Sequence, residues 1–302
     1  MIAEFTPVEW DDRLVADCRE LVRLALREDL IDPSTEEPLD ATSVAVVDPS
    51  ARGEAAIVSR GEGVLAGAGI APIVLDMAGA DAEWFAAQRD GAALTPGSVV
   101  GTLRGSARDL LRCERTVLNL MGRLCGIATL TSRFVAAVAD HAAAVYDTRK
   151  TTPGWRRLEK FAVRQGGGRN HRTGLFDAVL IKDNHLALAD RCDRTPGDAV
   201  RIARERFPNR IVEVEVDTLD QLREALPARP DIVLLDNMTN ALLREAVAIR
   251  DAVNPGVVLE ASGGVRVDTI AGIAATGVER ISVGALTHAA IGLDLGLDWR
   301  RP

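Results

Sequence analysis

From about residue 143 the chain repeats one sentence: a short apolar run, a polar cluster, then a helix-length stretch. The apolar runs are AVY (144–146), AVLI (178–181), IVEVEV (211–216), DIVLL (231–235), VVLE (257–260) and RISV (280–283). Runs so short, rich in Val and Ile and spaced by helical segments, predict successive βα units. A crossover helix between strands makes the sheet parallel. Six such units without a G-x-G-x-x-G string predict a β/α barrel and not an open dinucleotide-binding sheet. Within IVEVEV, Val212, Val214 and Val216 alternate with Glu213 and Glu215, so valines face the helices and acids face inward. Acids inside a barrel are costly unless cations or hydrogen-bond donors meet them. The polar clusters DTRK, KDNH, EVEVD, DNM, ASGG and GALTH fall at the strand ends, where β/α barrels carry their function.

The first 140 residues obey a different grammar. Residues 9–30 place Leu14, Val15, Cys18, Leu21, Val22, Leu24 and Ala25 on one helical face. Segment 31–105 has short runs such as AAIVSR (55–60) and GSVVGTLRG (97–105) between Gly, Pro and Asp, which predicts an antiparallel, turn-rich sheet with some helix. Helices are expected over 107–122 and again over 129–139. GEGVLAGAG (61–69) lacks the strand–turn–helix frame of a dinucleotide fingerprint and reads as turn and sheet glycines.

Charge narrows the function. The chain carries a net −8, yet residues 147–185 hold nine Lys/Arg against four Asp/Glu, with two of the four His and a Gly-Gly-Gly run. Cations gathered so tightly in an acidic protein point to a small, multiply charged anion. The acidic balance and the 4% aromatic content argue against a nucleic-acid partner. Cys18, Cys113, Cys125 and Cys192 show no zinc or disulfide spacing and are expected to be buried thiols in a reducing compartment. The first residues have early acids and no basic region before an apolar core, and the longest apolar stretch, Val64–Leu75, contains Pro72. No signal peptide and no membrane span are expected, and the location is read as cytoplasmic.

The clusters divide by chemistry. Arg149, Lys150, His171, Arg172 and Lys182 form a cationic group suited to planar carboxylates, because an arginine fork binds them bidentately. Glu215 and Asp236, each at a strand end, suit Mg²⁺ held through water, or sugar hydroxyls. Ser262-Gly263-Gly264 and Val283-Gly284-Ala285 suit a phosphate, with backbone N–H groups and a following helix N-terminus facing it. Ser262 has no partner base, and neither do Cys125 and Cys192, so no nucleophile is assigned. A transferase joining an acidic small molecule to a phosphorylated sugar fits this inventory. A phosphosugar isomerase or aldolase fits it too.

The motifs resemble the quinolinate phosphoribosyltransferase family. The matching strings are ERTVLNLMGRLCGIATLT (114–131), the whole of 147–185, EVEVDTLDQL (213–222), LLDNM (234–238), LEASGGV (259–265) and ISVGALTH (281–288). REDL (27–30), DATS (40–43) and GVLAG (63–67) match more loosely. The resemblance implies an N-terminal α/β sandwich domain over residues 1–126, an irregular, incomplete β/α barrel over 127–288, and a tail, 289–302, packed on the first domain. It implies transfer of phosphoribosyl from phosphoribosyl pyrophosphate to quinolinate with decarboxylation. It also implies Mg²⁺ and a homodimer, or a larger assembly, with shared sites. Arg115 then reaches the neighbouring site. Thr148, Arg149, Lys150, His171, Arg172 and Lys182 hold carboxylates and diphosphate, and Glu215 and Asp236 serve ribose and Mg²⁺. The two glycine turns, 262–264 and 283–285, hold the 5-phosphate. Lys150, Lys182, Glu215 and Asp236 are the catalytic candidates. Trp155, Phe161 and THAA (287–290) depart from the family pattern without removing a ligand.

Three competitors are weaker. A relative associated with molybdate transport is disfavoured by intact TRK and KDNH strings, and nicotinate phosphoribosyltransferase by the number of cations. A binding module without activity is disfavoured by the retained acids.

Overall fold

The computed structural model describes residues 4–188 and 195–300, and these form two compact units. The first unit comprises residues 8–132, 151–167 and 287–302. Its helix α1 (Asp12–Leu30) begins where the Asp11 side chain accepts the N–H of Leu14, and it buries Leu14, Cys18, Val22 and Leu26, one residue per turn. Leu24, expected on that stripe, is exposed. Then follow α2 (Ala41–Val46), β1 (Arg52–Ser59), β2 (Gly63–Val64), α3 (Ile70–Met77), β3 (Ala82–Ala86), β4 (Ala93–Leu94), β5 (Val99–Ser106) and α4 (Ala107–Ala137). The main sheet has the order β12-β1-β5-β3 and is antiparallel throughout, β12 being Leu295–Arg300.

Two expectations need correction here. A helix, α3, does follow the glycines of 61–69, but β2 before it pairs antiparallel with β4, so no βαβ frame arises. Residues 107–137 form one helix of 31 residues, not two. Gly122 and Gly126 look like breaks but are contact points. A Cβ on Gly126 would stand 2.1 Å from the Ile291 carbonyl oxygen, and one on Gly122 would stand 2.8 Å from that of Leu293.

The second unit comprises residues 1–7, 133–150 and 168–286. Its strands are β6 (Ala144–Tyr146), β7 (Ala178–Ile181), β8 (Ile211–Val216), β9 (Ile232–Asp236), β10 (Val258–Ser262) and β11 (Arg280–Ser282). All neighbours in the order β6-β11-β10-β9-β8-β7 are parallel, and β6 and β7 remain edges, which makes the barrel incomplete. The helices are α6 (Asp183–Leu188), α7 (Pro196–Arg206), α8 (Leu219–Ala225), α9 (Asn240–Val253), α10 (Ile270–Ala274) and α11 (Ala285–His288). Thr195 and Thr218 open α7 and α8 through reciprocal capping boxes, and Thr239 caps α9. Phe5 packs with Ala178, Ile232 and Val258 at the N-terminal ends of β7, β9 and β10.

Residues 151–167 group with the antiparallel unit, although the expected boundaries fall at 126 and 288. Contacts explain this. On α5 (Arg156–Gln165), Phe161 meets Trp10 edge-on at 5.1 Å and Arg157 pairs with Asp11 at 2.9 Å. No helix among the described residues is long and apolar enough to cross a membrane.

Candidate active site

Parallel strands carry their C-terminal ends to one side, and the predicted site residues other than Arg115 all belong to this second unit, with Glu215, Asp236, Ser262 and Val283 at or next to the strand ends. Glu215, almost wholly buried, receives the Lys182 ammonium on Oε2, so one inward acid of β8 meets its cation. Asp236 ends β9 beside Ser262, its register partner on β10. Its Oδ2 accepts from the Asn237 side chain at 2.6 Å. Arg115 is exposed on α4 and pairs with Glu114 at 2.9 Å.

The cationic side is built around a residue that pattern reading missed. Asp147 is fully buried; its Oδ1 accepts the His171 N–H at 2.8 Å and its Oδ2 the Asn170 side chain at 2.7 Å. One carboxylate thus ties the end of β6 to the segment bearing Arg172. The signal was present, since Asp147 heads DTRK, but burial is invisible in a string. Arg172 is buried, and its pKa is lowered by burial first and by the nearby Arg149 charge next. Arg149 keeps a buried Nε without a hydrogen-bond partner. Two neighbouring guanidiniums, one of them desolvated by burial, suit an anion with several oxygens. The Thr148 hydroxyl accepts the Lys150 N–H at 3.0 Å, and Lys150 itself is exposed. His185 turns back to accept the Lys182 N–H at 2.9 Å and caps its own turn.

The two glycine turns behave differently from expectation. Gly263 (φ +98°) and Gly264 (φ +58°) need the left-handed region, and a Cβ on Gly263 would collide with Asn237 Oδ1. The helix expected directly after this turn starts only at Ile270. After Val283 and Gly284 the short α11 follows at once, and the Val283 N–H donates to the Tyr146 carbonyl at 2.8 Å.

The pattern described as "Quinolinate phosphoribosyl transferase, N-terminal domain" matches residues 40–125, and that described as its "C-terminal domain" matches 127–298. The chain belongs to the quinolinate phosphoribosyltransferase family. It is 43% identical to a nicotinate-nucleotide pyrophosphorylase [carboxylating] of Mycobacterium leprae over 292 residues, 94% of this chain and 100% of that one. A probable enzyme of the same name from Bacillus subtilis is 41% identical over 81% of this chain and 83% of its own. Among solved structures, a nicotinate-nucleotide pyrophosphorylase from Francisella tularensis superposes with a TM-score of 0.89 at 35% identity, covering 98% of this chain and 100% of that one.

In this quinolinate phosphoribosyltransferase-family chain the three described cysteines are buried, unreactive thiols. Burial raises Cys18 and Cys113 to about 11 and Cys125 to about 12, leaving protonated thiols. Cys192 lies outside the described residues.

His171 and the buried acids Glu213 and Glu260 lie deeper, below the strand ends. Burial pushes the Glu260 carboxyl up from 4.5 to about 7, with Glu213 pushing the same way and His171 and Arg280 opposing. Because the folded value exceeds the unfolded one, this group's contribution to stability is complete below about pH 4.5 and is lost as pH rises through 7. Glu260→Gln should flatten that slope, read as the difference in urea-unfolding free energy between about pH 5 and about pH 7.5. An unchanged slope would assign the pH dependence elsewhere.

Proposed function

We propose that the chain transfers phosphoribosyl from phosphoribosyl pyrophosphate to quinolinate, releasing pyrophosphate and carbon dioxide and forming nicotinate mononucleotide, as a carboxylating nicotinate-nucleotide pyrophosphorylase. The observation that carries the reading is the Arg149–Arg172 pair, with Arg172 buried and Arg149 half-buried with an unpartnered Nε, an arrangement suited to a polyanion. It sits in a chain alike over nearly its whole length to relatives bearing that name.

Each group then has a task. Arg149 and Arg172 hold the two carboxylates and align the pyridine nitrogen with the anomeric carbon. As the C–O bond to pyrophosphate breaks, its electron pair leaves with the pyrophosphate, and Lys150 and Lys182 offset that charge. Glu215 and Asp236 accept from the ribose hydroxyls and stabilise the positive charge developing on the sugar. The pyridine nitrogen takes the anomeric carbon and becomes cationic. Loss of the adjacent carboxylate as carbon dioxide leaves an electron pair beside that cation, and a proton then takes its place. No step needs a protein nucleophile.

Mg²⁺ fits the donors present. Glu215 and Asp236 are hard oxygen ligands on adjacent strands, and a cation already sits on Glu215. When bound, the ion would neutralise phosphate charge, with remaining positions taken by substrate and water. Ser262-Gly263-Gly264 and Val283-Gly284-Ala285 are assigned to the 5-phosphate. We further propose a cytoplasmic homodimer in which the partner subunit's Arg115 completes each site.

The test is carbon dioxide release from carboxyl-labelled quinolinate. It should require quinolinate, phosphoribosyl pyrophosphate and Mg²⁺ together. Nicotinate as the control acceptor should give almost no nucleotide; equal turnover of nicotinate would sink the carboxylating assignment.

A further inference from the structure

The proposed chemistry leaves a lower tier of charge unused. Glu213 on β8 and Glu260 on β10 are fully buried, and none of their four carboxylate oxygens has a hydrogen bond of good geometry. The His171 ring is buried with them, its Nε2 at 3.0 Å from Glu213 Oε2 and 3.5 Å from Glu260 Oε1. Phe5 stacks on that ring with centroids 4.4 Å apart. Arg280, the register partner of Glu260, lies buried over the rings of Tyr146 (4.5 Å) and Phe5 (5.5 Å).

A histidine and two carboxylates this close could hold a metal ion. The other ring nitrogen argues against it. Nδ1 accepts the Arg172 N–H at 2.8 Å and therefore carries no proton. A neutral imidazole with a bare Nδ1 has its proton on Nε2, whereas a metal on Nε2 requires the proton on Nδ1. Nε2 therefore carries the proton, and it stands 3.0 Å from Glu213 Oε2 and 3.5 Å from Glu260 Oε1, close enough for their negative charge to hold the proton on that nitrogen. These contacts form a relay with a direction: the carboxylates set the tautomer, the tautomer leaves Nδ1 bare, and Nδ1 grips the backbone of Arg172.

We propose that Glu213 and Glu260 are positioning residues for dicarboxylate recognition, acting through the Nε2–H tautomer of His171 to fix Arg172 beside Arg149. The inference rests on the reading of Arg149 and Arg172 as the quinolinate site. Neither acid touches substrate. Glu213 also offsets the repulsion that Arg149 exerts on the Arg172 charge. Displacing a positioned charge by about 1 Å can cost on the order of a hundredfold in rate.

The first measurement is the tautomer of His171 in the wild-type enzyme, by long-range proton–nitrogen correlation on ¹⁵N-histidine-labelled protein. With four histidines in the chain, His171→Gln assigns the resonance. A neutral ring protonated on Nε2 near pH 7 is expected. A ring protonated on Nδ1, or on both nitrogens, overturns the proposal whether or not any variant folds. The second is kinetic. Glu213→Leu should raise KM for quinolinate by about tenfold or more and leave KM for phosphoribosyl pyrophosphate within about twofold, while Glu213→Gln, which keeps an acceptor oxygen, restores most of the loss. Equal rises in both constants, or no change in either, would overturn it. Arg172→Ala is the control: if it too leaves quinolinate binding unchanged, the dicarboxylate site is misread, whereas a loss there alone refutes only the relay.

Discussion

Replacing Arg172 with alanine should raise KM for quinolinate by about a hundredfold, with a far smaller change for phosphoribosyl pyrophosphate. Truncating one partner of a buried, hydrogen-bonded charge pair costs roughly 2–5 kcal/mol, and each factor of ten is about 1.4 kcal/mol. Arg172 qualifies as the buried partner, being 7% exposed. Arg172→Lys should recover only part of the loss, because an ammonium lacks the planar fork that meets both oxygens of a carboxylate. Initial rates with each substrate varied in turn decide the matter. Unchanged quinolinate affinity in the alanine variant would remove Arg172 from the pocket. The Arg149 repulsion that lowers the Arg172 pKa explains why this side should be sensitive: without the ligand the two guanidiniums oppose each other, and the dianion is what reconciles them.

Gly126→Ala should destabilise the protein by about 1–3 kcal/mol or prevent the C-terminal segment from docking. The expected sign is the informative part. Gly→Ala in an ordinary helix interior gains about 1 kcal/mol from backbone entropy and helix propensity. Here the added methyl would stand 2.1 Å from the Ile291 carbonyl oxygen and 2.9 Å from the Gly292 Cα, and backbone cannot step aside as a side chain can. Urea unfolding of both proteins measures it. A more stable variant would mean that the chain does not cross α4 at Gly126.

The same glycines mark where sequence reading stops. Period, propensity and breakers are local properties, and by those rules Gly122 and Gly126 end a helix. Their role is set by residues 291–293, far along the chain, which no local window contains. The parallel strands were legible because each is a short Val/Ile-rich run, and all six lie within two residues of where the pattern places both ends. In β8 the alternation also identified Glu213 and Glu215 as inward acids needing cations. Which cation meets which acid was not legible: Lys182 reaches Glu215, and His171 reaches Glu213 from a segment outside the strands. His171 drew attention for its neighbours in NHR, yet its ring orientation, and so its chemistry, depends on the Arg172 N–H. Asp147 and Glu260 were unreadable for a similar reason. A buried carboxylate and a solvated one are the same letter.

The strand β12 bears on how the molecule is made. Residues 295–300 pair with residues 54–59, so the first sheet to leave the ribosome is the last to be completed. Until then one side of β1 presents open backbone donors and acceptors while the whole parallel unit is still being synthesised, a sticky edge of the kind that recruits other nascent chains. Chains released before residue 295 should therefore accumulate as aggregates even though every residue of the strand-end site has already been translated.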